Sequence, residues 1–423
     1  MSVVARDVER AAEAIRSCIV RTPLVPSPRL SQQLGCSLSF KLENMQFTGS
    51  FKDRGSCLKL QQIRATPHGA QGVVAASAGN HAQGVAYHSK RLGIPATIVM
   101  PQATPFSKVE RTEALGAQVV LHGESLSDAQ EKAQELVRDR GLLYVHPYDD
   151  VAIIAGQGTV ALEMLEDQPD LDVLVAPIGG GGLIGGMSTW AKERFPRIQV
   201  LGVQTALCPS MHAAVRGLPS PTLHTNTLAE GIAVKRPGTL TTPIIQCCVD
   251  DIVLVEETAI EQAVQFLAVQ LKVVAEGAAA AAFAAIQQDP ARFAGKKVGV
   301  VISGGNIDRR MLSTVLLRGL RRDGKVARIR IEIHDAPGVL SRVTALVGAT
   351  GADIIDITHQ RVFSSLPPRS AELIIEMETR GRAHVERILM ELRAAGFPAQ
   401  NLDRKSTRLN SSHSSVSRMP SSA

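Results

Sequence analysis

Short β-branched runs alternate with helical stretches from about residue 5 to residue 320, and this alternation constrains the fold more than any other feature of the chain. Strands that alternate with helices in this way favour parallel sheets covered by helices. The predicted strand–helix pairs are residues 73–76 with 81–92, 96–100 with 105–115, 173–176 with 183–194, and 298–302 with 307–318, after a first helix at 5–17. The sequence therefore predicts an α/β fold for this part of the chain.

A different pattern begins near residue 326, beyond a short charged linker at 321–324. Residues 326–333 alternate apolar and polar side chains, which is typical of a half-exposed strand. The segments that follow are a helix to about 347, strands at about 352–363 and 370–378, a helix at about 382–395, and a short last strand near 398–402. The order β-α-β-β-α-β predicts a small ferredoxin-like α+β module.

Residues 403–423 differ from the rest of the chain because they are rich in serine and have almost no apolar periodicity. Such a composition is typical of a disordered segment. The run from Asp403 to His413 also resembles a translated sequencing adapter, so we interpret the tail as non-native and expect no function from it. Its four basic residues and one acidic residue account for half of the formal net charge of +6.

Composition and charge exclude several classes of protein. No basic run is interleaved with aromatic residues, so we expect no nucleic-acid binding. No apolar segment is long enough to span a bilayer, so we expect no membrane association. The six cysteines include no C-x-x-C pair, which fits the reduced thiols of a cytoplasmic protein better than disulfides or a zinc site.

Three glycine-rich turns share one layout, in which a predicted strand leads through the turn into a helix. They lie at residues 77–81, 179–182 and 303–306. In open parallel sheets, ligands bind at the carboxyl ends of the strands. Glycine lets the backbone approach a ligand, and exposed N–H groups at a helix start favour an anion. Three such turns predict a ligand with several anionic or polar groups.

The turn at 179–182 allows two interpretations. A G-x-G-x-x-G pattern at Gly180, Gly182 and Gly185 is compatible with a dinucleotide site. Such a site requires an acidic residue about 20 positions further on, for the ribose hydroxyl. The next predicted strand ends at Gln204 instead. Four consecutive glycines therefore favour a cup for a phosphate monoester.

Lys52 follows a turn and the aromatic residue Phe51. A lysine in such a loop is usually solvated. A lysine near a phosphate cup and an apolar wall can instead bond covalently with a cofactor aldehyde. Lys52 is therefore a candidate catalytic residue.

Taken together, these segments resemble the fold-type II pyridoxal-phosphate enzymes, which are tryptophan synthase β-like with two parallel-sheet subdomains. The match is to the threonine dehydratase (threonine ammonia-lyase) and serine racemase branch. It rests on segments 50–55, 77–84, 156–159, 179–183, 228–231 and 303–306, and covers about residues 5–320. Residues 326–402 resemble an ACT domain, a regulatory amino-acid-binding module. The resemblance implies a catalytic domain at 1–322, with its smaller subdomain at about 45–150.

The resemblance also implies roles for individual residues. Lys52 would bind pyridoxal 5'-phosphate covalently and later move the substrate's Cα proton, while Phe51 would pack near the cofactor ring. Asn80 would hydrogen-bond the ring hydroxyl, and Ser303 would face the pyridine nitrogen. The phosphate would be bound by Gly179, Gly180, Gly181, Gly182 and Leu183, and the substrate carboxylate by Ser77, Ala78, Gly79, Asn80, His81 and Ala82. A histidine that opens a helix is more often a capping or packing residue than a base, so we do not expect His81 to act directly.

The implied reaction is deamination of L-threonine to 2-oxobutanoate and ammonia, and of L-serine to pyruvate. A serine hydroxyl at 303 does not stabilise a protonated pyridine nitrogen, which favours prompt loss of a β-leaving group. A serine-specific dehydratase or a serine racemase is the alternative within enzymes. Against a racemase, Ala78 stands where those enzymes carry a serine, and Gln204 and Ser210 replace the carboxylates of their divalent-cation site, so we expect no metal. The non-enzyme alternative is an inert amino-acid sensor, and the retained Lys52 argues against it.

Asp335, Pro337 and Gly338 are the candidate regulatory residues of the second module. A proline and a glycine at the start of a helix place a tight turn whose free N–H groups suit a carboxylate. By resemblance, a branched-chain amino acid is the candidate effector, and paired modules imply a homodimer or homotetramer. A module that only holds subunits together is the alternative. Isoleucine biosynthesis and threonine catabolism both remain open as pathways.

Overall fold

The computed structural model describes residues 3–66, 71–224, 226–361, 367 and 369–402. The chain divides into two units, Met1–Leu312 and Ser313–Ala423. The predicted tail at 403–423 and part of the loop before residue 370 lie outside the described residues.

The first unit alternates helices and strands along its length. The helices are α1 (Ala5–Ile15), α2 (Pro28–Leu34), α3 (Lys52–Arg64), α4 (Asn80–Leu92), α5 (Phe106–Ala114), α6 (Leu126–Arg140), α7 (Val151–Asp167), α8 (Gly182–Arg194), α9 (Ser210–Val215), α10 (Thr241–Cys248), α11 (Glu257–Phe266) and α12 (Gly277–Gln288). The strands are β1 (Leu24–Pro26), β2 (Ser37–Leu42), β3 (Val73–Ala76), β4 (Ala96–Met100), β5 (Gln118–Leu121), β6 (Leu143–Tyr144), β7 (Val173–Pro177), β8 (Gln199–Thr205), β9 (Asp251–Val255) and β10 (Lys297–Ile302). This alternation confirms the predicted α/β class.

Two sheets organise the first unit. The larger has the strand order β1-β2-β10-β7-β8-β9, and all its pairings are parallel except that of β1 with β2. The smaller has the order β5-β4-β3-β6 and is wholly parallel. Every residue of β3, β4 and β7 is buried, as expected for strands covered by helices on both faces.

Helices α3, α7 and α8 approach one another closely because glycines stand where they cross. A Cβ atom on Gly156 would lie 2.7 Å from the Cα of Gly55, so α3 and α7 touch backbone to backbone. A Cβ atom on Gly186 would lie 2.1 Å from the carbonyl oxygen of Ile154, so α7 and α8 do the same. The Gly-Gln-Gly-Thr segment at 156–159 therefore serves helix packing, and this packing fixes the helix that begins at Lys52.

Helix α13 (Arg309–Arg322) leads into the second unit. The sequence predicted this helix to end at 318, with a linker at 321–324. Instead the helix continues through Arg322 and the chain turns at Gly324, which has a φ of 69°. Arg321 and Arg322 suit the last turn of a helix because cations there complement the helix dipole, so the predicted linker contributes its first two residues to the helix.

The second unit has the predicted ferredoxin-like succession. Its elements are β11 (Val326–His334), α14 (Val339–Ala349), β12 (Asp353–Gln360), β13 (Ser370–Glu378), α15 (Arg382–Ala394) and β14 (Ala399–Asn401). The strands form an antiparallel sheet in the order β12-β13-β11-β14. Alternate residues of β11 are buried, among them Ile329 and Ile331, because one face of the sheet packs against helices.

Within the described part of the chain, no helix combines the length and the apolar character needed to cross a bilayer. The same residues contain no group of three or more His, Cys, Asp or Glu side chains placed to bind a metal ion.

Candidate active site

Three neighbouring parallel strands of the larger sheet end at one edge and deliver three of the predicted segments there. Strand β2 leads through a short 3₁₀ helix (Glu43–Met45) to Lys52, β10 leads directly to Ser303, and β7 leads to the four glycines at 179–182. The carboxyl ends of parallel strands are the usual place for a ligand in such sheets. The sheet order therefore explains why segments distant in sequence meet.

The smaller sheet contributes the remaining segments. Strand β3 ends before Ser77, and α4 begins at Asn80, so the first N–H groups of the helix have no partner within it. Residues 77–80, which include Ala78 and Gly79, are half-buried, whereas His81 and Ala82 are buried. The neighbouring strand β6 leads to Pro147 and Tyr148. The helix start at Asn80 is suited to an anion such as a carboxylate.

The four glycines at 179–182 form a backbone cup. A side chain at these positions would clash with neighbouring residues. A Cβ atom on Gly180 would lie 2.3 Å from the ring of Tyr148, and one on Gly182 would lie 3.0 Å from the Tyr148 backbone. Gly181 has a φ of 96°, in the left-handed region that side chains disfavour. Helix α8 begins at Gly182, with Leu183 buried behind it. The cup thus presents backbone N–H groups and a helix N-terminus, as phosphate binding requires.

The position of Tyr148 over this cup is fixed from both sides. Its hydroxyl donates to the carbonyl of Arg236 at 2.9 Å. The next residue, Asp149, accepts hydrogen bonds from the backbone N–H groups of Leu240 and Thr241, at the start of α10. Thr241 in turn donates its hydroxyl to the carbonyl of Gly180 at 2.6 Å. The cup is therefore preorganised.

Lys52 is the first residue of α3 and extends between the two sheets. Its Nζ donates to the carbonyl of Pro147 at 2.6 Å and lies 5.1 Å from the centre of the Phe51 ring. Burial lowers the pKa of Lys52 to about 8, although the opposite charge of Glu276 acts against this shift. The amine is therefore much more often neutral near neutral pH than a solvated lysine, and the neutral form is the nucleophile.

Ser303 and Phe51 are joined through their backbones. The N–H of Phe51 donates to the carbonyl of Ser303 at 3.0 Å, and the N–H of Gly305 donates to the carbonyl of Gly49 at 2.9 Å. Ser303 is buried at the end of β10. The loop that ends in Lys52 is thus bonded to the loop that follows β10.

His81 lies within the site but is held by the protein. Its Nε2 lies 2.9 Å from the carbonyl oxygen of Val145, which requires this nitrogen to carry the proton. Burial and the nearby Lys52 lower the pKa of His81 to about 3. The imidazole is consequently neutral at physiological pH, in keeping with the packing role expected from the sequence.

The structure adds Glu276 and Asn306 to the site, two residues to which sequence analysis gave no role. Asn80 donates to Glu276 Oε1 at 2.7 Å, and Asn306 donates to Asn80 Oδ1 at 2.7 Å. Burial raises the pKa of Glu276 to about 7, against the hydrogen bond from Asn80 and the charge of Lys108. Asn306 belongs to the glycine-rich turn at 303–306, so the sequence could have indicated it. For Glu276 the only indication in the sequence is that it is a lone acidic residue directly before an alanine-rich helix.

A fully buried group of charges lies behind Lys52, and sequence analysis missed it as well. Arg54 donates to both Glu43 and Glu163, with nitrogen–oxygen distances of 2.7 to 2.8 Å. Lys41 donates to Glu163 at 2.6 Å and to the carbonyl of Thr22 at 2.7 Å. Two cations thus balance two carboxylates.

The predicted regulatory residues lie in the second unit. Asp335 follows β11 and pairs with Arg361 at 2.9 Å. Gly338 precedes α14 with a φ of 86°, so a turn opens this helix as the sequence predicted. Pro337 is exposed beside it.

The first unit therefore combines a phosphate cup, a desolvated lysine amine between two sheet edges, and a helix start suited to a carboxylate. These features fit a phosphate-bearing aldehyde cofactor and an amino-acid substrate. Glycines 180 to 182 let the turn pack closely against Tyr148 and Thr241, and Lys52 is the amine within the site.

Comparison with known proteins agrees with this geometry. Residues 15–304 match the family model described as pyridoxal-phosphate dependent enzyme. The chain is 42% identical over 391 residues to L-threonine ammonia-lyase of Geobacter sulfurreducens, covering 92% of this chain and 97% of that protein. Among solved structures, the processed form of threonine deaminase isoform 2 from Solanum lycopersicum superposes with a TM-score of 0.69 at 32% identity, over 74% of this chain and 94% of that one. Serine racemase of Dictyostelium discoideum superposes with a TM-score of 0.68 at 33% identity, over 73% and 100% of the two chains. This chain therefore belongs to the pyridoxal-phosphate-dependent enzymes of fold type II, and to their serine and threonine deaminase branch.

Proposed function

We propose that this protein is a threonine ammonia-lyase that converts L-threonine into 2-oxobutanoate and ammonia, and L-serine into pyruvate and ammonia. The observation that carries the proposal is the Lys52 amine, whose pKa burial lowers to about 8, beside the glycine cup at 179–182. Relatives with the same activity in their names match nearly the whole chain. A sensor without catalysis has no use for such an amine.

Bound pyridoxal phosphate supplies an aldehyde that bonds to amines and a ring that withdraws electron density from the substrate's Cα. Lys52 would hold the cofactor through its side-chain amine and would also be the group that moves the substrate's Cα proton. Glycines 179 to 182 and the start of α8 bind the phosphate. The N–H groups at the start of α4 orient the substrate carboxylate, which fixes the Cα–H bond toward Lys52.

Ser303 and Asn80 influence how strongly the cofactor ring withdraws electrons from the substrate. The Ser303 hydroxyl would offer a neutral partner to the pyridine nitrogen, which would not favour protonation of that nitrogen. Asn80 would donate from its amide to the ring hydroxyl. This arrangement would favour prompt loss of the β-hydroxyl, which leaves as water after it receives a proton, over return of the proton to Cα.

Steady-state rates with L-threonine, L-serine and their D-forms test the proposal, with release of 2-oxo acid as the readout. We expect turnover of both L-forms, with a higher kcat/KM for L-threonine. A protein that binds pyridoxal phosphate but turns over L-serine alone is a serine dehydratase. Absence of turnover with all four amino acids is the result that contradicts the proposal.

Elimination without appreciable racemisation is the second expectation, since Ala78 has no proton to exchange. Ala78 is half-buried two residues after the end of β3, at the position where racemases of this branch carry a hydroxyl. General acid–base groups contribute about 10²–10⁴-fold, so D-serine should form from L-serine at least ~10²-fold more slowly than pyruvate. Chiral chromatography of residual serine measures this ratio.

Ala78→Ser should raise the rate of D-serine formation from this low base. Ala78→Gly is the matched control, because it changes the side chain without adding a hydroxyl, and it should leave racemisation low. Formation of D-serine by the unchanged enzyme at a rate near that of pyruvate makes the protein a racemase.

We further propose that residues 1–322 form the catalytic domain and that residues 326–402 are an ACT domain that binds an amino acid and tunes catalysis. A turn at Gly338 opens α14. The N–H of Val339 donates to the carbonyl of Ala336, so the N–H groups of the next residues in this first turn are the candidates for binding a carboxylate. Pairing of such domains gives a homodimer or homotetramer. The free cysteines of the chain suit action in the cytoplasm.

Binding of isoleucine or valine to the full-length protein should be detectable by calorimetry and should shift the threonine rate curve. Allosteric coupling is typically about 1–3 kcal/mol, or about 5- to 150-fold in affinity. Asp335→Ala should weaken binding, whereas Glu376→Ala, which removes the Arg328–Glu376 ion pair in the same module, should not. If no amino acid binds or changes the rate, the module serves subunit association alone.

A further inference from the structure

We propose that Asn306 is a positioning residue that holds the Asn80 amide with one N–H directed into the cofactor site. This inference rests on the proposed function, in which Asn80 donates to the ring hydroxyl of the cofactor. Asn80 can meet that need in only one of the two orientations of its amide, because the opposite orientation presents an oxygen. The residues around it decide which orientation is present.

The identity of each amide atom follows from one backbone carbonyl. The carbonyl oxygen of Thr48 can only accept, so the Asn306 atom 2.7 Å away is the amide nitrogen. That same nitrogen lies 2.7 Å from an amide atom of Asn80, which must therefore be oxygen. Acceptor chemistry alone thus fixes the orientation of both amides.

The other amide atom of Asn80 is then its nitrogen, and it lies 2.7 Å from Glu276 Oε1. An amide nitrogen has two N–H groups, and Glu276 accepts from one of them. The second is available to a ligand. In the reversed orientation, the Asn80 oxygen would face both the Glu276 carboxyl group and the ring oxygen of the cofactor, and it could form a hydrogen bond only where one of those oxygens carries a proton.

The Thr48 carbonyl, where this chain of hydrogen bonds begins, belongs to a residue that is itself held beside Lys52. Thr48 donates its N–H to Asp53 Oδ2 at 2.9 Å and its hydroxyl to Asp53 Oδ1 at 2.5 Å. Asp53 is buried and directly follows Lys52 on α3. From the other side, Arg111 donates to Asn306 Oδ1 at 3.1 Å, which leaves the Asn306 oxygen facing away from Asn80.

Two glycines provide the space that this arrangement needs. A Cβ atom on Gly49 would lie 2.9 Å from Asn306 Oδ1, and one on Gly304 would lie 2.6 Å from Glu276 Oε1 and 3.2 Å from Asn80 Nδ2. Gly49 lies in the loop that precedes Lys52, and Gly304 directly follows Ser303. The packing around the two amides is therefore specific to their present positions.

Asn306→Asp tests the inference with almost no change of shape. A carboxylate cannot donate to Thr48 or to Asn80, so the Asn80 amide should turn and present its oxygen to the cofactor. Hydrogen bonds that involve charged groups contribute about 1.5–3 kcal/mol, so we expect the Kd for pyridoxal phosphate to rise roughly 10- to 100-fold. The absorbance maximum of the bound cofactor should also shift, since its ring oxygen loses a donor.

Asn44→Asp is the matched control. Asn44 is half-buried in the same region and donates its Nδ2 to the carbonyl of Val274 at 3.2 Å, without contacting Asn80. It should leave both the Kd and the spectrum unchanged. If Asn306→Asp behaves like this control, Asn306 does not position Asn80.

A double-mutant cycle with Asn80→Ala separates positioning from an independent contribution. If Asn306 acts through Asn80, the Asn306→Asp change should have little further effect on cofactor affinity once Asn80 is alanine. Fully additive effects would show that Asn306 acts separately. Wild-type protein that neither binds pyridoxal phosphate covalently nor turns over threonine would instead contradict the proposed function, so the two failures are distinguishable.

Discussion

Replacing Lys52 with alanine should abolish turnover of L-threonine almost completely. The variant loses the amine that bonds to the cofactor and the group that moves the Cα proton at the same time. General acid–base catalysis alone contributes about 10²–10⁴-fold, so the combined loss in kcat should be on the order of 10⁴-fold or more. Initial rates of 2-oxobutanoate release measure it, and borohydride reduction followed by mass spectrometry shows whether cofactor is attached at this position.

Two further variants locate the cause of this loss. Lys52→Arg keeps a positive charge but no nucleophilic amine, so it should be as inactive as Lys52→Ala. Lys59→Ala removes a lysine from the same helix, where it pairs with Asp150 at 2.5 Å, and it should retain activity. Full activity of Lys52→Ala, or reductive attachment of cofactor at another lysine, would overturn the assignment.

The lowered pKa of Lys52 has a consequence for cofactor capture. Burial lowers the pKa from its usual value of 10.5 to about 8, and only the neutral amine attacks a carbonyl. The rate at which cofactor-free protein bonds to pyridoxal phosphate should therefore rise with pH around a midpoint near 8. A solvated lysine would show the same rise near the usual pKa of 10.5 instead.

The sequence predicted the fold well because the strands and turns carry strong local signals. Residues 73–76 and 96–100 form strands with the predicted bounds, since each is an apolar β-branched run ended by a turn. Helix α13 extends beyond its predicted end at 318 because its last turn includes Arg321 and Arg322, which sequence analysis took for a linker. What ends the helix is the turn at Gly324.

The candidate site was predicted only where one segment carries its own signal. Glycines 179 to 182 and Lys52 stand out locally, and in the structure they contact adjacent residues, Tyr148 and Pro147 respectively. Glu276 and Asn306 act through partners about 200 residues away in the chain, as the contacts of Asn80 show. Their roles depend on which strands are neighbours, and a single sequence does not give the strand order.

The buried charges around Arg54 illustrate the same point more sharply. In the sequence Arg54 is a charged residue two positions after Lys52, and charged residues are rarely fully buried. In the structure its side chain has no exposed surface, and neither has that of Glu43. Only the fold brings Glu43 and Glu163 from either side to balance it.

Replacing Arg54 with methionine should therefore strongly destabilise this unit. It leaves two buried carboxylates, on Glu43 and Glu163, with Lys41 as their remaining cation. Removing one partner of a buried ion pair typically costs about 3–5 kcal/mol, because an uncompensated charge stays behind. Urea unfolding at pH 7 should show a loss of this size. The stability of Arg54→Lys should lie between those of the wild type and Arg54→Met. An ammonium group keeps the charge but cannot donate to both carboxylates in the planar fork that Arg54 uses.

The pH dependence of this loss separates charge from packing. Burial disfavours the ionised form of Glu43, but the charge of Arg54 and its hydrogen bonds outweigh burial and lower the pKa of Glu43. In the wild type, this carboxylate contributes stability above its unfolded pKa that is lost as the pH falls. Without Arg54, protonation relieves the buried charge, so the difference between variant and wild type should shrink between pH 7 and pH 5.

Arg21→Met is the control for removing an arginine ion pair. Arg21 binds Glu166 at 2.8 Å with about half of each side chain exposed. Exposed pairs contribute about 0–1 kcal/mol, so this variant should unfold almost like the wild type at both pH values. A loss for Arg54→Met that stays near the control, or that does not change with pH, would mean that water or backbone movement neutralises the two carboxylates left behind.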